Sequence, residues 1–181
     1  MKNIIKKIVL KLEKWCENHG RVQVIFGQNP QKSAYLVRYI LFKSKYTSIY
    51  IHRFLRSDDD SPHDHPWPFL TYVVTGGYYE YLYDTSVSKH ENNQYTSYWN
   101  YKYDFRYPGS IAFRKPTDIH RVFVMEEYSI IERHKAPLTI CLIGPRIRRW
   151  GFWDLSENGA VWIDWRKYLK KTPLEVKNES E

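Results

Sequence analysis

Two imidazoles set two positions apart are the first residues able to do chemistry: His63 and His65, within DDDSPHDHPWPFLTYVVTGGYYE, residues 58–80. In an extended chain successive side chains point to opposite faces, so His63 and His65 project together while Asp64 turns away. So placed, they can share one metal ion. Pro62 and Pro66 bracket the triplet without backbone donors, which puts it at a strand end or sheet edge, where ligands are presented. After Trp67, FLTYVVT is rich in β-branched and aromatic residues. Gly76-Gly77 and YYEYLYD follow, which reads as a hairpin with a two-residue glycine turn. With that turn Val73 lies opposite Glu80 and shares the parity of His65, so Glu80 is expected to point inward as a fourth ligand or a proton-transfer group. The alternative is a surface glutamate among exposed tyrosines. The acidic run from Asp58 offers three adjacent aspartates, too few oxygens at defined intervals for a hard cation, and is expected to be a solvated loop.

A third imidazole stands far along the chain, His120 in YPGSIAFRKPTDIHRVFV, residues 107–124. A histidine pair followed by a lone histidine after a proline-containing turn resembles the two motifs of the cupin superfamily, over roughly the middle half of the chain. HRFLRSDDD, HDHPW, GGYYE and GPRIRRWGF together resemble, more narrowly, a group of small cupin-like proteins of phage genomes. The resemblance implies a mostly β fold, a cupin-type double-stranded β-helix (jelly-roll barrel), with a metal held by His63, His65 and His120. The family's usual first motif carries a glutamate four or five residues after the pair; here Phe69 and Leu70 take its place, while Gly76 and Gly77 fit the glycine beyond. A site of three histidines and no carboxylate resembles that of the thiol dioxygenases, which bind ferrous iron. Fe(II) is therefore the favoured cofactor, with Zn, Mn or Ni as other divalent choices, and neutral imidazoles suit such ions. Asp64 is expected in a supporting or turn position, and Asp118 either orients His120 or makes a turn.

These groups need elements to hold them. Residues 2–18 place Ile4, Ile5, Ile8, Val9, Leu12, Trp15 and Cys16 at helical spacing, with lysines on the remaining arc and a cap at His19-Gly20. A helix docked on the barrel is expected, with a membrane-surface helix as the alternative. RVQVIFG, AYLVRYILF and SIYIHRFLR read as successive strands. In the last, Tyr50, His52 and Phe54 share one face and Ile51, Arg53 and Leu55 the other, so His52 is expected to be structural. Residues 84–100 are polar and read as an excursion, with His90 on its surface. WNYKYDFRYPG alternates as a half-buried strand should. LTICLIG supplies another, whose Cys141 is expected in the core. Trp150, Phe152, Trp153, Trp162 and Trp165 are expected to close one end of the barrel. The expected organisation is a helix over residues 1–20, a cupin-like β-barrel domain over 21–171 and a flexible tail over 172–181.

Composition sets the remaining bounds. The 181 residues carry a formal charge of +8, which makes an anionic partner expected without specifying nucleic acid. Two separated cysteines argue against a disulfide framework and for a reducing cytoplasm, that of the host cell for a phage-encoded chain. No apolar run is long enough to span a membrane. Two functions of different class follow. One is a metal-dependent enzyme acting on a small anionic molecule, with Glu80 moving protons and Arg53, Arg114, Arg121 and Arg146 holding substrate. Oxygenation is preferred there over isomerisation or phosphoester hydrolysis. Arg146, Arg148 and Arg149 form either an anion clamp or a solvated patch. The other function is a non-catalytic module that captures a nucleotide-like or sugar ligand, a sink used by a phage against a host defence. Nucleic-acid binding is a weaker third, and a homodimer is what the cupin resemblance implies.

Overall fold

The β-branched and aromatic runs pair into two facing sheets. The computed structural model describes residues 2–26, 33–58, 61–85, 87–89, 95–97, 99–156 and 159–168. The chain opens with helix α1 (Lys2–Asn18), followed by β1 (Val22–Ile25), β2 (Leu36–Lys43), β3 (Ser48–Phe54), β4 (Phe69–Thr75) and β5 (Tyr78–Asp84). Next come a short antiparallel pair, β6 (Val87–Lys89) and β7 (Tyr95–Ser97), then β8 (Asn100–Arg106), β9 (Ile111–Arg114) and β10 (Ile119–Phe123). The order ends with β11 (Leu138–Ile143), β12 (Gly151–Ser156) and β13 (Gly159–Asp164).

The larger sheet has the order β1-β2-β3-β11-β4-β9 and the smaller β10-β5-β8. Isolated bridges from His63 to His120 and to Phe152 place the His63 segment beside β10 and join β12 to that side. Four strands β3-β11-β4-β9 therefore face a second set, the His63 segment followed by β10-β5-β8. The chain switches sheets as it goes, which is the interleaved double Greek key of a jelly roll. This is the double-stranded β-helix expected from the sequence.

One local expectation fails. β4 and β5 do not form a hairpin: β4 lies between β11 and β9, and β5 between β10 and β8. Gly76-Gly77 instead carries the chain from one sheet to the other. Gly76 has φ 72°, and a Cβ there would meet the Pro137 Cα at 2.9 Å, so only glycine suits the crossing.

Both faces of the larger sheet are covered, which explains why β3 is buried almost continuously rather than alternately. On the outer face Val9 and Cys16 of α1 pack with Val37, Ile51, Leu55 and Leu138. Each such apolar side chain, fully buried, contributes roughly 1.5–3 kcal/mol. The helix uses only part of its apolar stripe, since Ile4, Ile8 and Trp15 stay exposed. It ends where expected, with Gly20 at φ 64° and the Arg21 N–H donating to the Cys16 carbonyl. Inside the barrel, Leu36, Phe54, Val73, Tyr78 and Val122 form one cluster, and Tyr50, Phe69, Cys141 and Ile143 another. The alternating tyrosines of β8 are not half-buried: Tyr101, Tyr103 and Phe105 pack ring against ring on Tyr79 and Tyr81 at an exposed outer face. His90 and the tail from residue 172 lie outside the described residues.

Candidate metal centre

His63 and His120 are joined through their backbones, because each N–H donates to the other's carbonyl, at 3.1 and 2.9 Å. Asp64 turns the opposite way, as strand alternation requires. Its Oδ1 accepts from the Gly151 N–H at 2.9 Å and its Oδ2 from Trp162 Nε1 at 3.0 Å, with an Arg148 Nη1 at 2.9 Å. The histidine pair is thereby fixed to β12 and β13 on one side and to β10 on the other. The three rings meet with centroids 4.9–5.1 Å apart. The Nε2 atoms of His65 and His120 face each other at 2.8 Å, and one donor atom from each of His63, His65 and His120 lies within 4.8 Å of the others.

The protonation states suit an ion. Burial, followed by the neighbouring His120 and His63 charges and those of Arg38 and His52, holds His65 well below its ordinary pKa. Burial also lowers His120, against the opposing pull of Glu80. Both rings are therefore neutral near pH 7 and carry a lone pair. His120 Nδ1 lies 3.0 Å from Glu80 Oε1, so the proton of the neutral ring sits there and Nε2 is left as the donor to a metal. His63 Nδ1 lies 3.1 Å from Asp58 Oδ2, a close carboxylate contact that is not aligned as a hydrogen bond. Two nitrogen ligands about 2.1 Å from an ion stand roughly 3.0–3.4 Å apart. The 2.8 Å separation is within a few tenths of an ångström of that, and the donor set fits a divalent transition metal.

Glu80 points inward as expected, yet it is not free to move protons. Its Oε1 accepts from Arg114 Nε at 2.8 Å, and its Oε2 from Arg106 Nε at 2.9 Å and from Arg114 Nη2. Burial raises its carboxyl pKa, but the hydrogen bonds and charges of His120 and Arg114 outweigh that and hold it well below the usual carboxylate range. A proton shuttle needs a pKa near the working pH. The geometry makes Glu80 a residue that orients His120.

A cavity of about 620 Å³ opens beside the three imidazoles, walled mainly by apolar and aromatic side chains that include Trp67, Phe69, Trp150 and Phe152. The arginines expected to hold substrate are placed differently from one another. Arg114 lies at Glu80. Arg53 faces outward beneath α1, where its Nε and Nη2 donate to both Glu13 oxygens at 2.7 and 2.8 Å and Nη1 to the His134 and Ala136 carbonyls. Arg121 donates to the Asp58 carbonyl at 2.6 Å, and Arg146 is exposed on the loop after β11. None of the four lines the cavity. Of the neighbouring arginines, Arg148 is engaged by Asp64 and by the Pro116 carbonyl. Asp118 makes a turn, accepting from the Lys115 N–H at 2.9 Å. Cys141 also lines the cavity, and burial pushes its thiol up to about 12, so it is no nucleophile.

The arginine that does line the cavity is Arg38, with His52 beside it. Sequence reasoning passed over it. The available signal was a single cation in the otherwise apolar run YLVRYILF, on the parity that Leu36 turns into the core.

No protein-family model matches the chain, and no curated protein matches it in sequence. Solved structures show weak similarity. One is KdgF from Halomonas sp., at 18% identity and TM-score 0.42, covering 62% of this chain and 80% of that one. Another is a conserved Klebsiella pneumoniae protein with a double-stranded beta-helix domain, at 14% identity and TM-score 0.37, covering 70% and 89%. A third is Fe(II) HppE, at 12% identity and TM-score 0.43, covering 68% of this chain and 57% of that one. At this level the similarities bear on neither substrate nor reaction.

Proposed function

We propose that the chain is a cupin-type metal-dependent enzyme in which His63, His65 and His120 hold one divalent ion, Fe(II) by preference, beside a cavity for a small anionic molecule. The observation that carries this reading is the convergence of the His65 and His120 Nε2 atoms at 2.8 Å in a partly open, mainly apolar cavity. When bound, such an ion supplies Lewis acidity and open coordination positions. The protein's own residues do the rest. Glu80 fixes the tautomer of His120, Asp58 stands against His63 Nδ1, and aromatic rings wall the cavity beside them.

Oxygenation is the preferred reaction. Isomerisation and phosphoester hydrolysis both gain from a carboxylate free to move a proton next to the reacting atoms. Among the described cavity-lining residues the carboxylates are Glu80 and Asp58, and both are engaged by histidines.

The rings of Trp67, Phe69, Trp150 and Phe152 also favour a second reading, a non-catalytic module that stacks and captures a nucleotide-like or sugar ligand, as a phage would use against a host defence. The two separate by one experiment. Small molecules released by denaturing the protein purified from cells are identified, and each is returned to Fe(II)-loaded protein while dissolved oxygen is followed. The enzyme reading expects oxygen uptake with conversion of the molecule; recovery of unchanged ligand with no oxygen uptake contradicts it and supports capture.

A further inference from the structure

The outer face of the larger sheet is covered by α1 over only part of its length. The helix packs on Val37, Ile51 and Leu138. Further along the same face, the strand register sets Phe42, Ile49, Leu142, Leu70 and Phe113 side by side across β2, β3, β11, β4 and β9. With strands about 4.8 Å apart, this apolar row is roughly 19 Å long. Phe42, Leu142, Leu70 and Phe113 are each 38–57% exposed. Single exposed apolar residues are ordinary, but a continuous row marks a surface that meets something.

Glu13 and Arg53 fix which way the helix is turned, because their bidentate pair holds one flank of α1 toward Arg53. Arg53 and Ile49 stand toward opposite ends of β3. Ile4 and Ile8 lie roughly 140–180° around the helix from Glu13. Their exposed flank therefore turns away from Arg53, toward the end of the sheet that carries the row. Trp15, also exposed, stands beside the Arg21 guanidinium, whose Nε and Nη2 donate to the Ile40 and Leu41 carbonyls next to Phe42.

Charge decides what this face suits. In the segments that bound this end of the sheet, residues 43–48, 115–117 and 144–149, the charged residues are Lys43, Lys45, Lys115, Arg146, Arg148 and Arg149. All are cations, and all but Arg148 are exposed. Asp118 follows the second segment and is tied to the Lys115 N–H. On α1, Lys7 and Lys11 are exposed, while Glu13 and Glu17 are engaged by Arg53 and Arg133. A second copy related by a two-fold axis would set cations against cations. An anionic bilayer offers an acyl boundary to the apolar row and headgroups to the cations around it. Trp15 and the exposed Tyr46 are the residue types that settle at headgroup level.

We infer that the row from Phe42 to Phe113, with the Ile4 and Ile8 flank of α1, docks the protein on the surface of an anionic bilayer. The inference needs no metal and does not rest on the proposed function, since the row lies on the opposite side of the sheet from the cavity.

The test mixes the full-length chain with vesicles of phosphatidylcholine alone or with about a third phosphatidylglycerol, and measures co-sedimentation at low and high salt. The parent is expected to bind the anionic vesicles about tenfold or more tightly than the neutral ones, and to lose most of that binding at high salt. Lys43→Ala with Lys45→Ala should weaken binding about tenfold or more, whereas Lys102→Ala with Lys167→Ala, an equal change of charge elsewhere, should leave it within about twofold. Leu142→Ser with Phe113→Ser keeps the charge and should also weaken binding about tenfold; Phe42→Ser, at the end of the row, replaces this pair if it does not fold. No preference for anionic vesicles, equal weakening by the two lysine pairs, or no effect of the serine variants overturns the inference. A parent that ignores vesicles but forms a dimer, which the serine pair dissociates, assigns the face to a second copy and overturns it as well.

Discussion

Glu80 shows how one carboxylate can organise a site without touching a substrate. It receives His120 Nδ1, Arg106 and Arg114 together, in a position almost closed to solvent. Glu80→Gln keeps the shape, removes the charge, and leaves two arginines without their counter-ion. We expect the variant to bind Zn(II) or Fe(II) roughly 10–100-fold more weakly, measured by competition with a chelator of known affinity. We also expect it to lose about 3 kcal/mol or more of stability in urea. The folded carboxyl titrates below its ordinary value of 4.5. Its stabilising contribution is therefore complete above that pH and is lost as the pH falls through the folded pKa. The parent should be destabilised by acid more steeply than Glu80→Gln, and parallel acid limbs would contradict the assignment. The inward direction of Glu80 was legible in strand parity, although the hairpin used to derive it does not exist. Its partners were not legible, since Arg106 and Arg114 lie on strands that only the tertiary fold brings beside it.

At the scale of elements, the strand SIYIHRF shows where sequence reading stops. Its alternation correctly separates His52 and Phe54 from Ile51 and Arg53, but alternation cannot say that α1 covers the second face. Arg53 is therefore part of the joint between helix and sheet rather than of the cavity. Its pairing with Glu13 is bidentate and buried. Removing one partner of such a pair leaves the other charge stranded, so Glu13→Ala should cost about 3–5 kcal/mol by urea denaturation. Glu13→Leu combined with Arg53→Met should recover most of it. Metal content should be unchanged in both, because the joint lies on the opposite side of the sheet from the imidazoles; loss of metal in Glu13→Ala would show that the helix supports the site. The crossing at Gly76-Gly77 was misread for a related reason. A glycine pair between two strand-like runs marks a sharp turn, and whether the flanking strands then pair or part is decided by β9, β10 and β11, far away in the chain.

For the whole molecule, the jelly roll explains why distant histidines meet. The His63 segment and β10 are adjacent in the same sheet, so a backbone bridge, not chance packing, sets His63 against His120. The β-rich class and the two histidine-bearing stretches were visible in residue types and spacing. The cavity wall was not, because it gathers single residues from strands whose order follows sheet switching. The central claim is that three imidazoles from this architecture hold one metal ion. Elemental analysis of protein purified without a metal-affinity column tests it most directly. Close to one divalent metal per chain is expected in the parent, with strong loss in His63→Ala and in His120→Ala, both still folded by circular dichroism. Equal metal content in the parent and the two variants would contradict it.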